Sequence, residues 1–271
     1  MKKKNSKLSG FYLGLIFVLM YLPIAVVIVF SFNESKLPVR FTGFSLKWYQ
    51  ELLHSELIGL LGNTLILAVL ASVLSTLLGT MAAVGINRMK GKLRSLVMTV
   101  TNIPMSNPEI VTGISLALLF TFFGTLIRHK EILGFGTLLI AHITFCLPYV
   151  ILSVLPKLRQ MDHNLTDAAL DLGCTPLQAF FKVTLPQIMP GVISGMTMAF
   201  TMSLDDFVIS YFVYGPNFSP LPIEIYAYTK KPMPPTVYAL FTVLFVCILL
   251  LLILQNVLQA RDEKKKAAKY A

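Results

Sequence analysis

Three carboxylates stand where water is scarce. Glu109, Asp205 and Asp206 each fall inside a run of apolar residues, and no lysine or arginine lies near them within either run. An ionised side chain at the centre of a bilayer costs about 2.5 to 3.5 kcal/mol on insertion scales, so such acids must face a water-filled path or a partner subunit. Unpaired acids suit an organic cation, because a carboxylate can replace water around each ammonium group. Phe207, Tyr211 and Tyr214 follow closely. They can hold ammonium by cation–π contact, or serve only as packing. On one continuous helix Asp205 and Asp206 differ by about 100 degrees, so one can face the path while the other meets a neighbouring helix. Glu109 follows Asn107-Pro108, where a broken helix frees backbone amides, and its carboxylate can equally satisfy those.

A second group of residues lies in a polar loop between apolar runs, about 156–186. Leu165, Ala168, Ala169 and Leu172 share one face at i, i+3, i+4 and i+7, which predicts a short amphipathic helix. Asn164 serves as its N-cap, with Asp167 in a capping-box-like place. Gly173 suits a left-handed C-terminal cap, and Thr175-Pro176 restarts a helix with an N-cap and an N1 proline. The expectation is a compact helix-turn-helix knob, whose adjacent alanines let another surface approach closely.

Positioning these groups requires long helices. The chain has 271 residues, 55% of them hydrophobic and 13% charged, a balance far more apolar than that of a soluble domain. Apolar runs of about twenty residues span a hydrocarbon layer as helices. Six spans are expected, near 11–32, 63–86, 95–123, 135–155, 187–213 and 237–259, in an all-α integral membrane protein of one domain with its core over about 63–259. Pro23 kinks the first span, which is too long for a cleaved leader after Lys2-Lys3-Lys4. Trp48 and Tyr49 read as interfacial anchors on a short helix. The N-terminus, the 88–94 loop, the 156–186 loop and the tail carry more than twice the Lys and Arg of the alternate loops. That bias places both termini and the knob in the cytoplasm. Gly191 and Gly195 have the spacing that lets two helices touch, either within the subunit or at a dimer seam.

The formal net charge of +10 is spread between spans rather than gathered on one basic face, which argues against nucleic acid as a partner. Cys146, Cys174 and Cys247 show neither metal nor disulfide spacing. His54, His129, His142 and His163 are scattered, so no metal is assigned; His142, within a span, reads as a hydrogen-bonded packing residue.

The knob carries a resemblance. Asp167-Ala168-Ala169, Gly173 and Val183-x-Leu185-Pro186 resemble the EAA loop of binding-protein-dependent ABC importer permeases, with Asp for the usual Glu and Val for the usual Ile. Ser31-Phe32-Asn33, Gly43-Phe44 with Lys47-Trp48-Tyr49, His142 to Pro148, Ser203-Leu204-Asp205-Asp206, Gly215-Pro216 and Leu221-Pro222 with Ile225-Tyr226 are similar to the spermidine/putrescine branch of that family. The resemblance implies the type I importer permease fold in a bacterial inner membrane. It also implies a coupling helix, involving Asp167, Ala168, Ala169, Gly173, Leu185 and Pro186, that docks on an ATP-hydrolysing subunit. The implied partners are a homologous second permease, two ATP-binding subunits and an extracytoplasmic polyamine-binding protein. This chain has no phosphate loop of its own, so ATP and Mg belong to the partner ATPase and the chain itself is a transport subunit, not an enzyme. The acids then line a polyamine path, with Tyr211 beside them.

Other readings are weaker. A permease for an anion would place basic residues or helix N-termini along the path. An ion-coupled carrier often shows inverted repeats and has no use for the loop. A membrane enzyme needs a paired catalytic set, which is missing.

Overall fold

The structure, a computed structural model, describes residues 6–36, 40–128, 132–162, 164–231 and 233–270. Lys2, Lys3, Lys4, His129 and His163 of the sequence reading lie outside them. Helices dominate, and five are long and apolar enough to cross a membrane: Gly10–Ser31, Glu56–Arg88, Glu109–Leu126, Phe135–Gln160 and Pro176–Asp205. A sixth apolar stretch, Pro235–Leu250, is shorter by that measure. The chain forms two compact units, Met1–Ile58 with Ala227–Ala271, and Gly59–Tyr226.

In the first unit, α1 (Ser6–Ser31) packs on α12 (Pro235–Tyr270), as does the short α2 (Lys47–Leu53). Trp48 is only 2% exposed, so it is not the interfacial anchor its type predicted. Its indole N–H donates to the Asn33 carbonyl at 2.6 Å, and the Tyr49 hydroxyl meets Ser31 Oγ at 2.7 Å. Both aromatics therefore pin the connection after α1. Asn33 completes the pin: its side chain donates to the Arg40 carbonyl and accepts from the Thr42 N–H.

The second unit is built on α3 (Glu56–Arg88), α6 (Phe135–Gln160) and α9 (Leu185–Asp205), whose fully buried Leu67, Leu138, Val150, Ile151, Val154 and Ile188 form its core. The α6 and α9 pair makes the most extensive contact between elements among the described residues, and two glycines permit it. A Cβ on Gly191 would stand 2.8 Å from the Ser153 carbonyl oxygen, and one on Gly195 would stand 3.2 Å from Val150 Cα. The glycine pair therefore serves packing within the subunit.

Two expected spans are each interrupted. The span near 95–123 is two helices, α4 (Gly91–Ser106) and α5 (Glu109–Leu126), parted at Asn107-Pro108. Asn107 is extended, φ −80 and ψ 143, because the ring of a following proline drives the preceding residue out of the helical region. The span near 187–213 ends at Asp205 and resumes as α10 (Val208–Val213), with Asp206 extended at φ −63 and ψ 118. A further short helix, α11 (Leu221–Tyr228), follows, its residues as far as Tyr226 belonging to this unit.

Candidate functional site

The second break is made by side chains. Where a helix stops inside a bundle, the first amides of the next helix lack carbonyl partners. Asp206 supplies them: Oδ1 accepts from Ile209 N–H at 3.3 Å, and Oδ2 accepts from Ser210 N–H at 2.8 Å and from the Ser210 hydroxyl at 2.9 Å. His142 of α6 spans the break, with Nδ1 2.7 Å from Ser203 Oγ on α9 and Nε2 2.9 Å from Ser210 Oγ on α10. The same Nε2 lies 3.5 Å from Asp206 Oδ2. All four side chains are buried. They form a closed network in which each polar group is satisfied, the arrangement that makes a buried charge tolerable.

Because the helix ends at Asp205, the two adjacent acids are separated by a change of backbone path rather than by a rotation along one helix. Asp206 turns inward and is 8% exposed, whereas Asp205 stays on the exposed surface. No salt bridge reaches Asp205 among the described residues.

The helices that follow the two breaks, α5 and α10, pack on each other. Gly113, one turn after Glu109, is where α5 meets α10, and a Cβ there would stand 2.8 Å from Phe212 Cδ2 and 3.4 Å from Ile209 Cα. Ile209 is the second residue of α10, beyond the break at Asp206. Glu109 is the first residue of α5 and is exposed, and it makes no hydrogen bond or ion pair among the described residues. The Val111 and Thr112 amides beside it bond to the Pro108 carbonyl, so the Glu109 carboxylate is not spent on them.

Tyr211 is 46% exposed and belongs to a ring cluster. Its centroid is 5.5 Å from Phe207, 6.4 Å from Tyr214 and 6.3 Å from Tyr226, and Phe207 stacks on Tyr226 at 4.4 Å. Tyr226 comes from α11, which no periodicity announced. Tyr211 also lines a cavity of ≈ 1000 Å³ with Phe212, Tyr214, Thr121 and Thr125. Arg128 also lines this cavity, past the end of α5 remote from Glu109.

The knob is a separate site. Its first helix, α7 (Asn164–Asp171), is entered through the Asp162 carboxylate, which accepts the Asn164 N–H at 3.0 Å. The capping side chain therefore sits two residues before the expected Asn164. Gly173 closes the helix at φ +87, with the Cys174 N–H returning to the Ala169 carbonyl. Thr175 and Gln178 form a reciprocal capping box around Pro176, the start of α8 (Pro176–Ala179). A π-helical turn, Phe180–Thr184, joins α8 to α9, so Leu185 and Pro186 open the long helix. Ala169 packs inward, while Asp167 and Ala168 stay exposed. Leu172 is 86% exposed and Leu177 68%. The chain's own apolar face is thus left without cover on this knob, as a docking surface requires.

Comparison with known proteins follows the same lines. Residues 75–263 match the model of a family described as binding-protein-dependent transport system inner membrane component. The spermidine/putrescine transport system permease protein PotC of Escherichia coli (strain K12) is 37% identical over 259 residues, covering 95% of this chain and 96% of that protein. The putrescine transport system permease protein PotI of the same organism is 37% identical over 254 residues, covering 92% and 90%. In structure, a subunit of a bacterial ABC transporter involved in the import of the acidic polysaccharide alginate superposes with a TM-score of 0.73 at 17% identity, covering 96% of each chain, a likeness of fold alone.

Proposed function

Since the chain belongs to the family of binding-protein-dependent transport system inner membrane components, we propose that it is the permease subunit of an ATP-driven importer that moves polyamines, spermidine or putrescine, into the cytoplasm. The observation that carries the cargo reading is the pair of exposed acids, Glu109 and Asp205, each standing at a helix break and neither in an ion pair among the described residues. Acids so placed are costly against lipid and favourable along a path for an organic cation. Asp206 supports that path from behind by fixing the break, and Tyr211 borders it. An anion cargo would call for the reverse charge.

In this reading the knob docks on one of two ATP-binding subunits, which hold ATP and Mg, with Leu172 and Leu177 as its apolar contacts and Asp167, Ala168, Ala169 and Gly173 shaping the approach. Leu185 and Pro186 pass the motion into α9. A homologous second permease completes the path, an extracytoplasmic binding protein delivers the polyamine, and both termini face the cytoplasm, as the distribution of Lys and Arg supports. The test is uptake of radiolabelled putrescine and spermidine by cells without other polyamine importers, expressing the complete complex. Uptake that disappears with Asp205→Asn is the expected result; no uptake by the unaltered complex would remove the cargo assignment.

A further inference from the structure

We infer that Thr76 and Thr80 of α3 are hydrogen-bond donors held in reserve for a second setting of α3 against α6, which makes this seam a two-position joint of the transport cycle. The inference rests on the reading of the chain as an ATP-driven permease and not on the identity of its cargo.

Both threonines are shut inside the subunit, 6% and 7% exposed, and neither hydroxyl has a hydrogen-bond partner among the described residues. A threonine in a helix has an inexpensive remedy, a bond from Oγ1 to the carbonyl four residues back. Thr64, Thr101, Thr144 and Thr242 all take it. Thr76 and Thr80, one turn apart on α3, do not. The neighbouring hydroxyls of the same helix are satisfied: Ser72 Oγ donates to the Val69 carbonyl at 2.9 Å, and Ser75 Oγ donates at 3.2 Å to the Ser72 carbonyl, the acceptor that Thr76 would have used.

The two threonines flank a close contact. At about 100 degrees per residue, Thr76 and Thr80 stand about 60 and 100 degrees from Gly79 around the axis, on the same side. A Cβ on Gly79 would lie 2.7 Å from Val150 Cγ1 and 3.5 Å from the Leu147 carbonyl oxygen of α6. A bridging water needs room and two to four polar partners, whereas the seam at Gly79 is closed to a single added carbon. Beside this contact α6 carries Pro148, which has no N–H, so the Thr144 carbonyl lacks its helical donor. Spare donors on one helix thus stand near a spare acceptor on the other. Gly79 and the buried Ala83 raise no side-chain ridge on α3, so a shift of 1–2 Å, the usual scale of such movements, meets little obstruction. Unmet buried donors raise the energy of the setting that bears them. That brings it closer to a setting in which they are met, as a switch driven by ATP requires.

The test exchanges each hydroxyl for a methyl of the same shape. Thr76→Val with Thr80→Val is compared with Thr76→Ser with Thr80→Ser, which keeps both donors, in the complete complex in lipid nanodiscs. The valine pair should raise Tm without nucleotide by about 4 to 8 °C, because two stranded donors are gone. It should also slow ATP hydrolysis about tenfold, because the second setting has lost two hydrogen bonds. The serine pair should hydrolyse ATP within about twofold of the unaltered rate. A Tm that falls or stays level in the valine pair overturns the inference, since the hydroxyls are then already bonded, to water or to their own helix. A raised Tm with unchanged hydrolysis overturns it as well, as does a serine pair as slow as the valine pair. Both readouts are taken without cargo: an unaltered complex that hydrolyses ATP but takes up no polyamine loses only the cargo assignment, and one that hydrolyses none loses the permease reading first.

Discussion

Replacing Asp206 with alanine should unfold the molecule far more readily than replacing its neighbour Asp205. Asp206→Ala removes the acceptor of three hydrogen bonds, from Ile209 N–H, Ser210 N–H and Ser210 O–H. The serine hydroxyl can still turn to His142, 2.9 Å away, but the Ile209 and Ser210 amides have no backbone partner outside the helix among the described residues. Stranding buried donors and breaking a buried charged contact cost about 3 to 5 kcal/mol together. For a chain of this size that corresponds to a fall in Tm of roughly 6 to 20 °C. Asp206→Asn keeps one accepting oxygen and should lose about 1 to 2 kcal/mol. Asp205→Asn touches an exposed group outside the network and should stay within about 0.5 kcal/mol of the unaltered protein. The assay is thermal unfolding of the purified complex in lipid nanodiscs, followed by loss of monodispersity. Equal losses in Asp205→Asn and Asp206→Ala, or a neutral Asp206→Ala, would refute the division of labour drawn from the break.

Two more outcomes follow from packing and exposure. Leu172→Asp, at the most open apolar position of the knob, should leave the permease folded while reducing the amount of ATP-binding subunit that copurifies with it, by about tenfold if one buried leucine is lost from the contact. Gly191→Val should sharply lower folded yield, since the Ser153 carbonyl and Lys157 Cγ already stand 2.8 Å from the first added carbon; Gly85→Ala, with open space around it, should be neutral or stabilising by about 0.5 to 1 kcal/mol, both read from detergent-solubilised yield.

Much of this was visible in the residues, and what escaped has a common cause. Apolar run length marks helices that must live in lipid, and Gly173 and Thr175-Pro176 mark the knob because local backbone chemistry alone decides a left-handed cap or an N1 proline. The break after Asp205 has no such local mark: Ser203 to Tyr211 contains neither glycine nor proline, and its interruption depends on His142, more than sixty residues earlier in the chain. His142 itself was readable as a bonded packing residue, but not its two serine partners. Trp48 misled for a similar reason, since an indole at the edge of an apolar run looks the same whether it meets lipid headgroups or the Asn33 carbonyl. Tyr226 was visible only as part of the resemblance, because its contact with Phe207 joins rings on separate elements.

The π-helical turn between α8 and α9 does more than carry the chain out of the knob. It keeps Pro176–Asp205 a single helical run of 30 residues, about 45 Å from end to end. The knob's second helix and the exposed acid are thus opposite ends of one strut, and a strut needs no relay of side chains to report at one end what is done at the other. A tilt of about 10° around the knob would swing Asp205 by about 8 Å over that length, a sweep wider than an ammonium group and its water. The work of ATP would reach the cargo as leverage.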